Sequence, residues 1–246
     1  MAKQILANQR FLLDGYEITT DIFAAEAALQ IEDPEGTTFG TTGVREFLAG
    51  LKRHSISYAG RWQAGTTPDL IDGILFARTG VTDVVASYMP ITGAEGEVAY
   101  TTRVLGGTYT PFDSGEVGTV HNFRFLGQSE GDPLVRGAAI HVGAEVATGN
   151  GTEYTTNLGA VVAGQSVYGG LHVYSVTGAG TIDVLVQHDT TGFGSPTTAL
   201  TFAQQAAIGS DWQTDATATA DTYWRATWTI AGFTSVSFDV IIGIWP

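Results

Sequence analysis

The chain has 246 residues, enough for one large or two ordinary domains with a well-buried core. Only 15% of residues are charged against 43% apolar, and 32 glycines with abundant Thr, β-branched and aromatic residues favour sheets joined by turns. A formal charge of −14, with Lys3 and Lys52 the only lysines, argues against a grip on nucleic-acid phosphates, and the absence of cysteine excludes disulfides, thiolate metal sites and a Cys nucleophile.

The N-terminal stretch MAKQILANQRFLLDGYEI shows no apolar core followed by a small-residue cleavage site, and no run of about 18 apolar residues occurs. The expectation is a chain made in the cytoplasm that does not span a membrane. RFLLDGYEIT reads as a hairpin turning at Asp14-Gly15, and ALQIED as a strand stopped by Pro34. EDPEGTTFGTTG is a loop. GVREFLAG places Val44, Phe47, Leu48 and Leu51 at helical spacing before a Gly50 cap. In HSISYAGRW, His54, Ile56, Tyr58 and Gly60 share one strand face.

TTPDLIDGILFARTG is the clearest helix, expected over 67–79. Thr67 is its N-cap, Pro68 its first helical residue, Leu70, Ile71, Ile74, Leu75 and Arg78 follow the 3.6-residue period, and Gly80 ends it. From residue 81 onward strand patterns alternate with Gly, Asp and Pro punctuation. In the closing pair, Trp224, Ala226, Trp228 and Ile230 share one face, as do Phe238, Val240, Ile242 and Ile244. A composition shift over 148–166 marks the best domain boundary.

Catalytic and metal signatures are weak. Gly127-Gln128-Ser129-Glu130-Gly131 matches the nucleophile elbow but is followed by Pro133 rather than a helix, so it reads as a turn. The five histidines show no shared metal spacing, although His172 and His188 fall on successive strands that could meet across a sheet. Asn150-Gly151-Thr152 reads as a turn rather than a glycosylation site. Glu95, Glu97, Asp113 and Glu116 read as solvated turn acids rather than a paired-carboxylate site. Trp224 and Trp228, spaced for one sheet face, are candidates for stacking on a ligand, with core packing as the commoner use of such residues. No catalytic residue and no metal site is expected, so the chain reads as a non-enzyme.

The ordered segments RFLLDGYEIT, TTFGTTG, REFLAGL, HSISYAGRW and TPDLIDGILFA resemble the major tail proteins of long-tailed bacteriophages, with Thr38, Phe39, Gly40, Gly50, Leu51 and Trp62 as the matching positions. TYWRATWTIAG and SVSFDVIIGI resemble the closing strands of such proteins. The resemblance implies a mainly β fold: a tail-tube-type β-sandwich or barrel with one flanking helix over 1–159, and a C-terminal β-sandwich domain over 160–246. It implies self-assembly into stacked rings, six copies to a ring, in the virion tail. The implied partners are copies of the chain and the tape-measure, baseplate and terminator proteins, with DNA passing without specific binding, no membrane and no cofactor.

The loop Thr37, Thr38, Phe39, Gly40, Thr41, Thr42 and Gly43 is implied to contact the next ring. Inward-facing acids such as Glu97 or Glu116 would repel phosphate from such a lumen. Two other function classes fit the composition: a β-sandwich module for carbohydrate or a host surface, using Trp224 and Trp228, and another virion structural protein of capsid or decoration type.

Overall fold

The computed structural model describes residues 8–31, 52–63, 70–113, 116, 118–156 and 158–246. The strands are β1 (Arg10–Leu13), β2 (Tyr16–Glu17), β3 (Ile22–Ile31), β4 (Lys52–Arg61), β5 (Val84–Met89), β6 (Val98–Asp113), β7 (Asn122–Ser129) and β8 (Val135–Glu145). They continue as β9 (Gly149–Asn150), β10 (Ser166–Thr177), β11 (Thr181–Asp189), β12 (Thr197–Thr201), β13 (Gly209–Asp215), β14 (Tyr223–Ala231) and β15 (Ser235–Trp245). One α-helix, α1 (Ile71–Arg78), and a single 3-10 turn (Thr19–Asp21) are described. The chain is mainly β, and every strand pair is antiparallel.

Among the described residues the strands form two sheets. The larger has eleven strands and runs β13-β10-β15-β8-β6-β5-β1-β2, with β7, β4 and β3 branching in order from β6. The smaller has four, ordered β12-β11-β14-β9. β6 is the spine: Val98–Thr101 pair with β8, Tyr100–Val104 with β5 and Val104–Asp113 with β7.

Period-2 alternation sorts these strands into layers, because successive side chains point to opposite faces. On β5, Val84 and Ala86 point into a core with Phe11, Leu13, Tyr58, Phe123 and Phe125, which α1 closes with Ile71, Ile74 and Leu75. The intervening Val85 and Met89 face the other way, into small clusters with Val135 and Trp212, and with Ala139 and Ile241. The far side of β10, β15 and β8 packs Leu171, Phe238, Val240 and Ile140 against Val184, Val186, Trp224 and Trp228 of the small sheet. Each such core side chain contributes about 1.5–3 kcal/mol by leaving water.

Local chemistry explains the turns. Asp14 (φ 48°) and Gly15 (φ 81°) are both left-handed, the backbone of a two-residue primed hairpin turn joining Leu13 to its partner Tyr16. Gly80 (φ 78°) ends the helix, with its N–H donating to the Gly106 carbonyl. The described helix begins at Ile71, and Leu70 before it is extended and makes no side-chain cap bond; Thr67, the expected cap, lies outside the described residues. The expected helical scrap at 44–51 and the residues Pro68 and Asp69 lie outside the described residues.

The expected boundary at 159/160 falls between β9 and β10. Strands on its two sides pair directly, β15 with β8 in the large sheet and β14 with β9 in the small one.

Candidate functional site

β3 is a ten-residue strand at the end of its branch of the large sheet. It pairs with β4 from Ile22↔Gly60 to Ile31↔Lys52, and its other edge has no strand partner among the described residues. Its Ala25, Ala27, Leu29 and Ile31 pair with residues of the alternate positions Tyr58, Ile56, His54 and Lys52, so they lie on the core-facing side. Yet Leu29 is 44% and Ile31 55% exposed. A ten-residue edge with uncovered apolar side chains on its inner side is a template for another strand.

The outer face of the same sheet is polar and basic. Arg53 donates to Gln30 Oε1 (3.0 Å) and Arg61 to Asn122 Oδ1 (2.8 Å), with the Arg61 guanidinium also over the Phe23 ring. A shallow groove of about 730 Å³ opens here beside Ala24, Glu26, Ser57, Ala59 and Arg124. The two acids named for an inward face sit outside the strands. Glu97 precedes β6 and accepts from the Thr92 N–H and hydroxyl, both at 2.8 Å; Glu116 lies in the β6–β7 connection. Glu95 is also a structural acid rather than a solvated one. It takes the Val142 N–H (3.0 Å) and the Tyr154 hydroxyl (2.9 Å), and His141 Nδ1 is 3.2 Å away. The hydrogen bond from His141, ahead of those from Val142 and Tyr154, holds its carboxyl below the ordinary range against the opposing effect of burial.

The tryptophan reading is corrected. Trp224 is 0% and Trp228 5% exposed, on the inner face of β14 against β15 and β10. Their indole N–H groups donate to the carbonyls of Gly159 and Ala147, each at 2.9 Å. A ligand could stack on them only by opening the sandwich, so the carbohydrate-module alternative loses its platform.

The histidine expectation is corrected too. β10 and β11 are consecutive but lie in different sheets, so His172 and His188 do not meet. His188 Nδ1 is 2.7 Å from Asp221 Oδ2. His172 is buried in the seam between the layers, where Gly15 N–H donates to Nδ1 (3.3 Å). With Nδ1 accepting, Nε2 carries the proton and donates to Ser87 Oγ (2.9 Å), which shares a hydrogen bond with Thr101 Oγ1 (2.8 Å). Burial, reinforced by the charge of Arg10, lowers its pKa to about 3, so it stays neutral.

Asn150 is also not in a turn. It forms the two-residue strand β9 on the edge of the small sheet, opposite Thr227. The 127–131 motif does turn, at Gly131 (φ 100°), and leads to β8. The loop Thr37–Gly43 lies outside the described residues. Among the described residues no group of three or more His, Asp or Glu could hold a metal ion.

The same seam carries a second polar set that sequence reading missed. Arg10 Nε lies 3.1 Å from Asp239 Oδ2, with the guanidinium over the Tyr174 ring. Asp239 is fully buried, and neither of its oxygens meets a donor in hydrogen-bonding geometry. Burial therefore dominates over the attraction of Arg10 and raises its pKa to about 7.

Comparison with solved structures finds components of phage-like tails. The chain is similar to a chain of the native gene transfer agent virion, at 20% identity and a TM-score of 0.40, over 52% of this chain and 95% of that one. A chain from the tail of an empty gene transfer agent particle with C6 symmetry shows 18% identity and a TM-score of 0.35, over 46% of this chain and 81% of that one. The Dit protein of SPP1, a hub of the adsorption apparatus in phages infecting Gram-positive bacteria, shows 14% identity and a TM-score of 0.40, over 97% of this chain and 99% of that one. No protein-family model and no curated protein matches the chain.

Proposed function

We propose that this chain is a structural subunit of a phage-type tail, which joins copies of itself through open sheet edges into rings that stack as a passive tube. The observation that carries the reading is β3, a ten-residue edge with Leu29 and Ile31 uncovered on its core side. Pairing by a neighbouring copy satisfies the free backbone groups and shields the exposed half of both side chains, at about 1 kcal/mol for each. Closed rings leave no such edge open. Six copies to a ring, DNA as the cargo, and the tape-measure, baseplate and terminator proteins as partners are what the sequence resemblance implies. The proposal assigns ring formation to residues 1–159 and treats 160–246 as the sandwich carried with them. The function is one of shape, and no chemical step is assigned to it.

Sedimentation of purified protein tests the reading. Leu29→Lys with Ile31→Lys should keep the wild-type melting temperature within a few degrees and abolish rings, because both sites are solvent-facing in the isolated chain. A double variant that still forms wild-type rings contradicts the assignment of β3.

A further inference from the structure

The first hairpin, β1 and β2, ends the path of the large sheet. β1 pairs with β5 from Arg10↔Met89 to Leu13↔Ala86, and β2 has no second strand partner among the described residues. Phe11 and Leu13 face one way, into the core that α1 closes. Arg10, Leu12 and Asp14 reach the other way, across the seam to β10, β13 and β15. Of these only Leu12 is apolar. The rest of the hold is polar: Arg10 meets Asp239, Asp14 Oδ1 accepts from Ser210 Oγ, and the Gly15 N–H donates to His172 Nδ1. A terminal hairpin held in this way belongs to the units of a fold that open by themselves.

One of these contacts is unfinished. Arg10 Nε and both Asp239 oxygens are buried without a hydrogen bond, although Nε lies 3.1 Å from Oδ2. A carboxylate that leaves water without gaining donors is disfavoured against its neutral form. The strands packed around Asp239 leave it as the group that titrates. Arg10 on β1 keeps its charge. On β10, burial holds His172 neutral, and burial first and the Asp239 charge second push Tyr174 up to about 12. β8, on the other side, brings the Gly143 backbone. Glu17 on β2 is the remaining carboxylate, exposed and 3.3 Å from Arg10.

We propose that the β1–β2 hairpin is a proton-operated clasp, shut while Asp239 holds a proton and loosened when it ionises, and that opening it bares the edge of β5 over Ala86–Met89. An unpaired edge is a template for another strand, so the clasp guards a joining surface separate from β3. The sign follows from solvation. Opening returns Asp239 to water and to the ordinary carboxylate value near 3.9, from about 7 in the closed seam. Each pH unit between about 4 and about 7 therefore favours the open hairpin by up to about tenfold, and outside that window the balance is flat. The inference is independent of the proposed function, because the clasp is complete within one chain.

Amide hydrogen exchange tests it, followed by NMR from pH 4 to 8 at concentrations where the chain is single, with the intrinsic pH dependence of exchange divided out. The probes are the Asp14 N–H, which donates to the Val85 carbonyl (2.8 Å), and the Gly15 N–H. The protection of both should fall at least about 100-fold between pH 4 and 7, while amides of the β8–β15 pairing exchange more slowly throughout. Asp239→Asn should abolish the fall, and Glu17→Gln should leave it intact. Glu17→Gln alters an exposed side chain, so the test decides even where Asp239→Asn does not fold. Protection that is constant with pH, a fall that persists in Asp239→Asn, or a fall that vanishes in Glu17→Gln overturns the inference. So does exchange of Asp14 and Gly15 only in step with β8 and β15, because the hairpin would then open with the whole molecule rather than by itself.

Discussion

At the residue scale, the seam between the layers is where the chain departs from a simple apolar interior. Asp239 sits on β15 among Tyr174 and Arg10, and its pKa of about 7 lies well above the ordinary carboxylate value near 3.9. From about pH 4 to about pH 7 the folded chain keeps a proton that the unfolded chain has lost. The contribution of this group is therefore most favourable below pH 4, declines as pH rises through that window, and is constant above it. Asp239→Asn should remove the decline. Melting temperatures of the two proteins, measured from pH 4 to 8, should diverge in favour of the variant by several degrees as pH rises. A difference that stays constant with pH contradicts the raised value.

Gly15 makes a second point at this scale. Its φ of 81° and the backbone of Gly209 packed directly against its Cα leave no room for a side chain where the first hairpin meets β13. Asp14 reinforces that junction, accepting from Ser210 Oγ and from Arg78 Nε, each at 2.7 Å. Gly15→Ala should cost more than the about 1 kcal/mol typical of a glycine turn, and urea titration reads it. Trp224→Ala, in the other core, should cost about 3–5 kcal/mol in the same assay, with no change attributable to any sugar.

At the element scale, what could be read from sequence was what is local. The Asp14-Gly15 turn, the buried face His54–Ile56–Tyr58–Gly60 and the shared faces of β14 and β15 each depend on neighbours two or three residues apart. Alternation says which residues lie together, but not whether that face meets another sheet or water. That is why a ligand platform stays open for Trp224 and Trp228 beside the commoner reading as core. It also does not say which strand lies beside which. His172 and His188 fall on strands that follow one another in the chain, yet the chain crosses from one sheet to the other between β10 and β11. The uncovered edge of β3 was equally hidden, since Leu29 and Ile31 look like ordinary core positions until the layer above them runs out.

The sharing of strands has a consequence for fragments. Residues 160–246 contain β10 to β15 but lack β8, whose Ala138 and Ile140 are part of the second core, and β9. Expressed alone, 160–246 should give poorly dispersed NMR spectra, whereas 133–246 should give a folded spectrum. Well-dispersed peaks from the shorter fragment would mean that β15 needs no neighbour on that side.

At the scale of the whole molecule, association works against charge. Copies carrying −14 repel one another, and the Debye length shrinks from about 30 Å at 0.01 M salt to about 8 Å at 0.15 M. Assembly through apolar edges should therefore be faster at the higher salt, as light scattering would show. Assembly through ion pairs would be slowed instead.

The account stands or falls on whether this chain completes its own open edge. Cryo-electron microscopy of the purified protein at increasing concentration measures that directly. The account predicts closed rings in which β3 of each copy is flanked by a strand of its neighbour, stacked into hollow tubes. Particles that stay single at every concentration, or rings whose contacts leave β3 bare, would contradict it.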